Sequence, residues 1–451
     1  MSMARPIALF NALAVRADLV ARDVASADRR WLQVALVTAI SAAAIEGPLR
    51  YVLNLAHLDL LIFVRDAALF GALAAFVMVR VAEGNTPVAV AVFAFLALFH
   101  SIVALVNLQT VVAPIYGLKI FVPALCGYLA SEAIFRPGRR LLRLVLLLWI
   151  VGVVGATFDQ FTTADLPWVG VSVEVGGIDV DIGRDWQTGT FKRVAGLTRS
   201  SISLAIVLPL LSFMLIGATK SHLLRIGVCA ATLVVLYWST QKGAILGYAL
   251  AVAVLALALA LSGRSSSAPL KVAAVLATLL TTLAPTLLIH YDMPIDRGVF
   301  SFESLIERVQ SMWPMAWAWI DRYPNLLGVG LGGIGGAQRF YSASQFNASD
   351  NLFIYLYANF GVASLIYLGA AVLTVVAARV RDPRSDGLAL ASFVFLMLYG
   401  SVISLVEDQI AALWLGATLG WLALRQPAAD NISTQPYPEV RQSIETGGVA
   451  P

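Results

Sequence analysis

The side chains whose type and placement could do chemistry are Asp350, Arg308, Arg193, Arg199 and Lys242. Asp350 stands where a polar stretch gives way to the apolar run that begins at Leu352. A carboxylate partly desolvated at such a junction has its pKa raised toward the range of a working general base. The four cations border apolar segments, where they could bind an anionic group and stabilise negative charge developing on it. Three of the five have a plainer alternative. Asp350 could cap the helix that starts after it, Arg199 could be a helix-start or interfacial residue, and Lys242 a snorkelling hairpin lysine. Asp159, His290 and Glu407 are further candidates for the base.

The elements that must position these groups are apolar. The chain is 59% hydrophobic and only 13% charged, with a mean hydropathy of +0.82. Ordinary globular domains are about 25% charged, so the sequence reads as an all-α integral membrane protein. Apolar stretches long enough to span a hydrocarbon core about 30 Å thick fall at 31–51, 58–80, 87–106, 110–134, 141–158, 198–217, 222–239, 243–262, 271–290, 351–378, 387–406 and 409–425. This predicts a polytopic domain over 31–425 with about twelve spans. It is preceded by an amphipathic cytoplasmic segment over 1–30 without a cleavable signal peptide, and followed by a disordered, Pro- and Ser-rich tail over 426–451. Cys126 and Cys229 both lie in apolar segments, which supports neither a disulfide framework nor a Cys-based metal site.

Lys and Arg are enriched on cytoplasmic flanks. With both termini inside, the Arg136/Arg139/Arg140/Arg143 and Arg379/Arg381/Arg384 clusters face the cytoplasm, and the long loops 159–197 and 291–350 face outward. Glu46, Arg50, Arg65, Asp66, His100, Lys119, Asp159, Lys242, Glu407 and Asp408 then all lie toward the outer half. Ionisable groups at that depth cost several kcal/mol unless wet or paired. The pattern implies a polar cavity opening outward above a dry inner half, or a set of structural ion pairs. No internal repeat and no polar path to the inner face support a transporter or channel.

Within the second loop, Phe302, Leu305, Ile306, Val309, Trp313, Ala316, Trp317 and Ile320 recur at helical spacing over 302–321. They suit an interfacial helix with its tryptophans at headgroup depth or, as aromatic stripes most often do, plain packing against the bundle; Arg308 falls off the stripe, and a kink is expected at Pro314. Gly328-x-Gly330-x-x-Gly333 matches a dinucleotide fingerprint, but that fingerprint needs a preceding strand and a following helix in a parallel sheet, so nucleotide binding is rejected. The glycines instead allow a flexible or closely packed crossing, or form a turn-rich connector. In the first loop Val171 to Val175 alternates as a small β-hairpin would. The acids Asp165, Glu174, Asp179, Asp181 and Asp185 match no EF-hand pattern, so no metal is expected.

Several of these stretches together resemble the O-antigen ligases and Wzy-type polysaccharide polymerases. Asp350-Asn351, nine residues, then Gly361 resembles that family's final His-Asn…Gly motif. Arg308, Trp313, Pro324 and Gly328-Val329-Gly330 resemble its Arg-Trp-Pro-Gly-x-Gly loop signature. Arg193-x-x-Gly196 and Ser239-Thr240-Gln241-Lys242-Gly243-Ala244 resemble its Arg-x-x-Gly and Ser-x-Arg-Gly-Ala elements. The resemblance implies a fold like that of C-type glycosyltransferases, in the bacterial inner membrane, with a large periplasmic loop containing an amphipathic helix. It implies a substrate of undecaprenyl-diphosphate-linked oligosaccharide, no cofactor, metal, nucleotide sugar or nucleic acid, and membrane lipids, chain-length regulators and export proteins as partners. Carried onto this chain, Asp350 and Arg308 are catalytic, Arg193, Arg199 and Lys242 bind pyrophosphate, and Asn351 and Gly361 support them. Asp350 in place of the ligases' His favours a repeat-unit polymerase over a ligase. A flippase of the same lipid-linked material is the rival from another class. Lys242 keeps the charge of the family's Arg but loses its planar fork.

Overall fold

A computed structural model describes residues 29–58, 61, 63–84, 87–175, 178–184, 187–188, 191–260, 267–289, 291, 302–380 and 382–424. The cytoplasmic segment and tail expected at the two ends fall almost wholly outside the described residues, as does His290.

The apolar runs fold as helices, because only helices satisfy the backbone within a single apolar segment. In chain order they are α1 (Arg29–Ala44), α2 (Glu46–Leu55), α3 (Val64–Ala82), α4 (Val88–Leu108), α5 (Val112–Leu129), α6 (Ser131–Phe135) and α7 (Arg139–Phe161). The first long loop carries two small antiparallel hairpins, β1 (Ser172–Val175) with β2 (Ile178–Asp181) and β3 (Gln187–Thr188) with β4 (Phe191–Lys192); Ser172 faces Asp181 and Gln187 faces Lys192. Then come α8 (Ser201–Ala218), α9 (His222–Trp238), α10 (Lys242–Ala260) and α11 (Ala268–Leu287). The second loop holds α12 (Glu303–Glu307), a π turn (Arg308–Met312), α13 (Trp313–Ile320) and α14 (Gln338–Tyr341). The chain closes with α15 (Leu352–Phe360), α16 (Ala363–Ala377), α17 (Pro383–Gly400) and α18 (Gln409–Leu424).

Among the described residues six helices are long and apolar enough to cross a membrane, namely α4, α5, α7, α8, α10 and α11, or seven if the α1–α2 pair counts as one span. That pair is bent by 86°, so the apolar stretch 31–51 is not one straight helix. The stretch 351–378 is likewise divided between α15 and α16, at Gly361 with φ +58°.

Helices α8 and α17 are buried on nearly every face and form the centre, whereas α4, α7 and α10 present exposed apolar faces. Helices α5 and α18 approach most closely where side chains are missing: a Cβ on Gly416 would fall on the Ala124 carbonyl and one on Gly127 on that of Leu413. Small residues allow such backbone contact between apolar helices.

The bundle has two chemically distinct ends. At one, called here the basic end, Arg80 pairs with Glu83 (2.9 Å) and Arg136 with Asp382 (3.5 Å). At the other, the loop end, both long loops meet the α10, α15 and α17–α18 junctions. The polar groups expected to share one side do gather at the loop end: Glu46 pairs with Arg50 (2.5 Å) and Arg65 (3.2 Å), Lys119 with Asp66 (3.6 Å), and Lys192 with Asp159 (2.8 Å). Many are therefore satisfied by one another. The bundle is not closed below them: a cavity of about 1900 Å³, with mostly apolar walls, opens at the basic end between α1, α4, α5 and α7.

The glycine string is neither flexible nor a surface turn. Residues 328–336 run through the bundle as buried backbone, with nearly every polar group paired. Val329 and Leu331 donate N–H to the carbonyls of Ala358 (2.7 Å) and His100 (3.0 Å), and Gly332 donates to Asn359 Oδ1 (2.7 Å). Asn107 Nδ2 donates to the carbonyls of Gly328 (3.1 Å) and Val329 (3.2 Å). A Cβ on Gly332, whose φ is +77°, would strike the Ala113 carbonyl. Gly332→Ala should therefore lower stability by at least about 2 kcal/mol, from overpacking and left-handed strain together. Gly71→Ala in α3, where a Cβ meets nothing within 4 Å, should be neutral or mildly stabilising. Thermal unfolding of the two variants in detergent checks the contrast.

Candidate active site

Pro314 lacks the N–H that would close an α-turn onto Gln310, and the turn before it, Arg308–Met312, is a π turn. Such turns are frequent at functional sites. Ile306, Val309, Trp313, Ala316 and Ile320 are all buried, so the apolar stripe packs into the bundle. Trp313 and Trp319 are buried and Trp317 is half-buried. Trp313 is fully buried and its Nε1 donates to the Asp350 carbonyl (3.3 Å), while Trp319 Nε1 donates to that of Gly333 (2.9 Å). The stripe thus packs as aromatic stripes most often do, with the long loop folded inward over the glycine string.

The segment before α15 is held from several sides. Gln338 Oε1 accepts the Asn347 N–H (2.9 Å), Ser404 Oγ donates to the Ala348 carbonyl (2.8 Å), and the hydroxyls of Ser349 and Ser404 are 2.7 Å apart. Ser349 and Asp350 both sit in the left-handed region, at φ +54° and +39°. Non-glycine residues there cost on the order of 1–3 kcal/mol each, and such strain clusters at functional sites. The helix cap is Asn351: its Oδ1 accepts the Ile354 N–H (3.0 Å), and its Nδ2 donates to the carbonyls of Thr281 (3.1 Å) and Ser401 (2.9 Å). Asp350 is thus relieved of the capping role its position suggested. Gly361, at the far end of α15, meets the start of the glycine string, where a Cβ would strike Gly328 N and the Asn325 carbonyl.

The Asp350 carboxylate faces Arg308, with Oδ2 3.0 Å from Nη2. Arg308 Nη1 donates to the Ser304 carbonyl (2.6 Å), and its buried Nε has no partner among the described residues. Burial pushes the Asp350 carboxyl above the ordinary aspartate range, with Arg308 pulling against it. Arg193 is brought within electrostatic reach of Arg308; burial first, and then that neighbouring charge, hold it below the usual guanidinium range. Lys242, the first residue of α10, feels the charges of Arg193 and Glu303. Beside it Gln241 accepts from the Tyr399 hydroxyl (3.1 Å) and donates to Ser201 Oγ (3.0 Å). Arg308, Arg193, Lys242 and Asp350 therefore form one constellation, assembled from both loops and the α9–α10 hairpin.

Arg199 points elsewhere. Its Nε donates to the Asp181 carbonyl (3.1 Å) and its charge acts on Glu46, which places it with the Glu46/Arg50/Arg65 cluster. Asp159 is a clamp: its Oδ2 accepts the N–H groups of Ala195 (3.0 Å) and Gly196 (2.9 Å), fixing the turn that carries Arg193. Glu407, in the α17–α18 hairpin, lies within electrostatic reach of Asp350. Its Oε1 accepts the Gly336 N–H (2.5 Å), and burial pushes its carboxyl up to about 7, with the Gly336 bond opposing and the Asp350 charge adding. No group of three or more His, Cys, Asp or Glu with metal-binding geometry occurs among the described residues.

The sequence reading missed the Ser349–Ser404 clamp, the Tyr399–Gln241–Ser201 chain and Asn107. Each is a polar residue inside or bordering an otherwise apolar span, and that was the available signal. Comparison with family models, with curated proteins and with solved structures returned no match.

Two outcomes follow from this geometry. Asn351→Ala removes a cap and unpairs two buried carbonyls, and should cost about 2–3 kcal/mol in thermal unfolding, whereas Asp350→Asn should stay within about 1 kcal/mol of the parent. Glu407 has a folded-state value raised from 4.5 to about 7. Its protonated form therefore adds stability that is fully present below about 4.5 and lost as pH rises through about 7. Glu407→Gln should flatten that part of the stability–pH profile.

Proposed function

We propose that this chain is a twelve-span glycosyltransferase that polymerises undecaprenyl-diphosphate-linked oligosaccharide repeat units at the outer face of the bacterial inner membrane, its loop end outward and both termini cytoplasmic. The observation that carries the reading is a partly buried carboxylate, Asp350, paired with Arg308, with Arg193 in electrostatic reach of Arg308 and Lys242 of Arg193, at one end of an apolar bundle. A substrate with a lipid tail in the bilayer and a diphosphate at its surface fits both halves of that description.

The diphosphate binds Arg193, Lys242 and Arg308. In drawing Arg308 toward itself it loosens the Arg308–Asp350 pair and leaves the carboxylate unneutralised. Asp350 then takes the proton of the acceptor hydroxyl. The acceptor oxygen bonds to the anomeric carbon, the bond from that carbon to the diphosphate oxygen breaks, and the electron pair leaves with the lipid diphosphate. The clustered cations stabilise that developing charge. The strained backbone at Ser349 and Asp350 holds the base at a fixed angle. Arg199, engaged with Asp181, positions the first loop and does not touch the diphosphate.

Asp350→Asn should lower polymer formation by about 10²–10⁴-fold, the usual worth of a general base, without loss of protein from the membrane. Because the ionised carboxylate is the active form, kcat/KM should fall as pH drops through an Asp350 pKa above the ordinary aspartate value. A deletion strain should accumulate single repeat units on the outer leaflet. Accumulation confined to the inner leaflet would instead identify a flippase, and long polymer left on the lipid carrier a ligase.

A further inference from the structure

The cavity at the basic end takes no part in the chemistry proposed for the loop end, and its walls point to a ligand of their own. Its sides are apolar: Leu32 and Val37 from α1, Val92 and Leu96 from α4, and Leu125 and Leu144 from α5 and α7. Its mouth is not. Arg139 and Arg140 line it with Arg136, which pairs with Asp382, and one acid, Glu132, all exposed, together with Gly138, which precedes the first turn of α7 and offers no side chain to cap it. The open N–H groups of that turn add to the positive field of the two arginines beginning the helix, a combination that favours an anion. Arg80, buried against the Phe76 ring, lines the cavity as well and is offset by Glu83.

Size and depth narrow the ligand. At about 1900 Å³ the cavity is roughly twice the upper end of ordinary small-molecule sites, which run about 300–1,000 Å³. From Pro87 at its rim to Leu96 at depth α4 rises about 13 Å, close to half of a hydrocarbon core about 30 Å thick. An apolar slot one leaflet deep, open to the side and topped by guanidinium groups, is complementary to a phosphate headgroup with acyl chains beneath it. Guanidinium forks match phosphate oxygens in pairs, and basic pockets between membrane helices hold anionic lipid. We propose that this cavity binds an anionic phospholipid from the leaflet at the basic end, with the phosphate at Arg139, Arg140 and the first turn of α7 and the chains between α1, α4 and α7.

The test uses the full chain purified from membranes containing both phosphatidylglycerol and phosphatidylcholine, with retained lipid counted by native mass spectrometry. The expected result is preferential retention of phosphatidylglycerol, weakened by about tenfold or more in Arg139→Gln/Arg140→Gln, in line with the contribution of exposed basic side chains near a lipid headgroup. Val92→Trp, which fills the slot without touching the arginines, should abolish retention while the gel-filtration profile stays that of the parent. Equal retention of the two lipids, or retention unchanged in both variants, would overturn the proposal. So would phosphatidylglycerol binding that emerges only after removal of residues 1–28, since that segment would then be the natural occupant.

Discussion

Between Gly328 and Gly336 the chain passes through the helical bundle as bare backbone, and the arrangement of the loop end follows from that passage. Backbone buried among apolar helices must find a partner for its N–H and C=O groups. The bundle supplies them through Asn107, Asn359 and the carbonyls of His100 and Ala358. Glycine is required because helices α4 and α5 come too close for a Cβ at Gly330 or Gly332. Once threaded, the segment anchors Trp319 through the Gly333 carbonyl and Glu407 through the Gly336 N–H. The first fixes the helix bearing Arg308, and the second fixes the hairpin whose Ser404 holds the segment before Asp350. Arg308 and Asp350 meet because both are tied to the same buried strand of backbone.

The residues that could do chemistry were legible in the sequence as charges where charges are expensive. Arg308, Arg193, Lys242 and Asp350 stood out on that ground, and the fold brings them together. Arg199 stood out equally and does not join them, because a residue six positions from Arg193 lies beyond the tight turn at Gly196 and looks back toward the β1–β2 hairpin. The difference lies in the turn clamped by Asp159, which no local pattern announces. Asp350 and Asn351 could not be separated as cap and non-cap from residue types alone, since both suit the position; the left-handed backbone at Asp350 decides it.

The helical class and the loop boundaries were also legible, from hydropathy. What hydropathy does not encode is continuity. The stretches 31–51 and 351–378 each read as one apolar run, yet one bends by 86° after Ala44 and the other turns at Gly361. The glycine string was ambiguous: its composition suits a closely packed crossing as well as a turn-rich connector, and the helices it passes between decide for the crossing. The tryptophans of 313–319 read as either interfacial or packed, and Trp313 and Trp319 are buried because the loop folds over that string.

The central claim is that the Arg308–Asp350 pair is the reacting centre of a glycosyl transfer, opened by the substrate's diphosphate. It is tested most directly by reconstituting the purified chain in proteoliposomes with a lipid-diphosphate-linked repeat unit and resolving the products by gel. The account predicts a ladder of polymer with release of the lipid diphosphate, absent in Asp350→Asn and in Arg308→Lys. A repeat unit that crosses the bilayer unchanged, or a ladder undiminished in both variants, would contradict it.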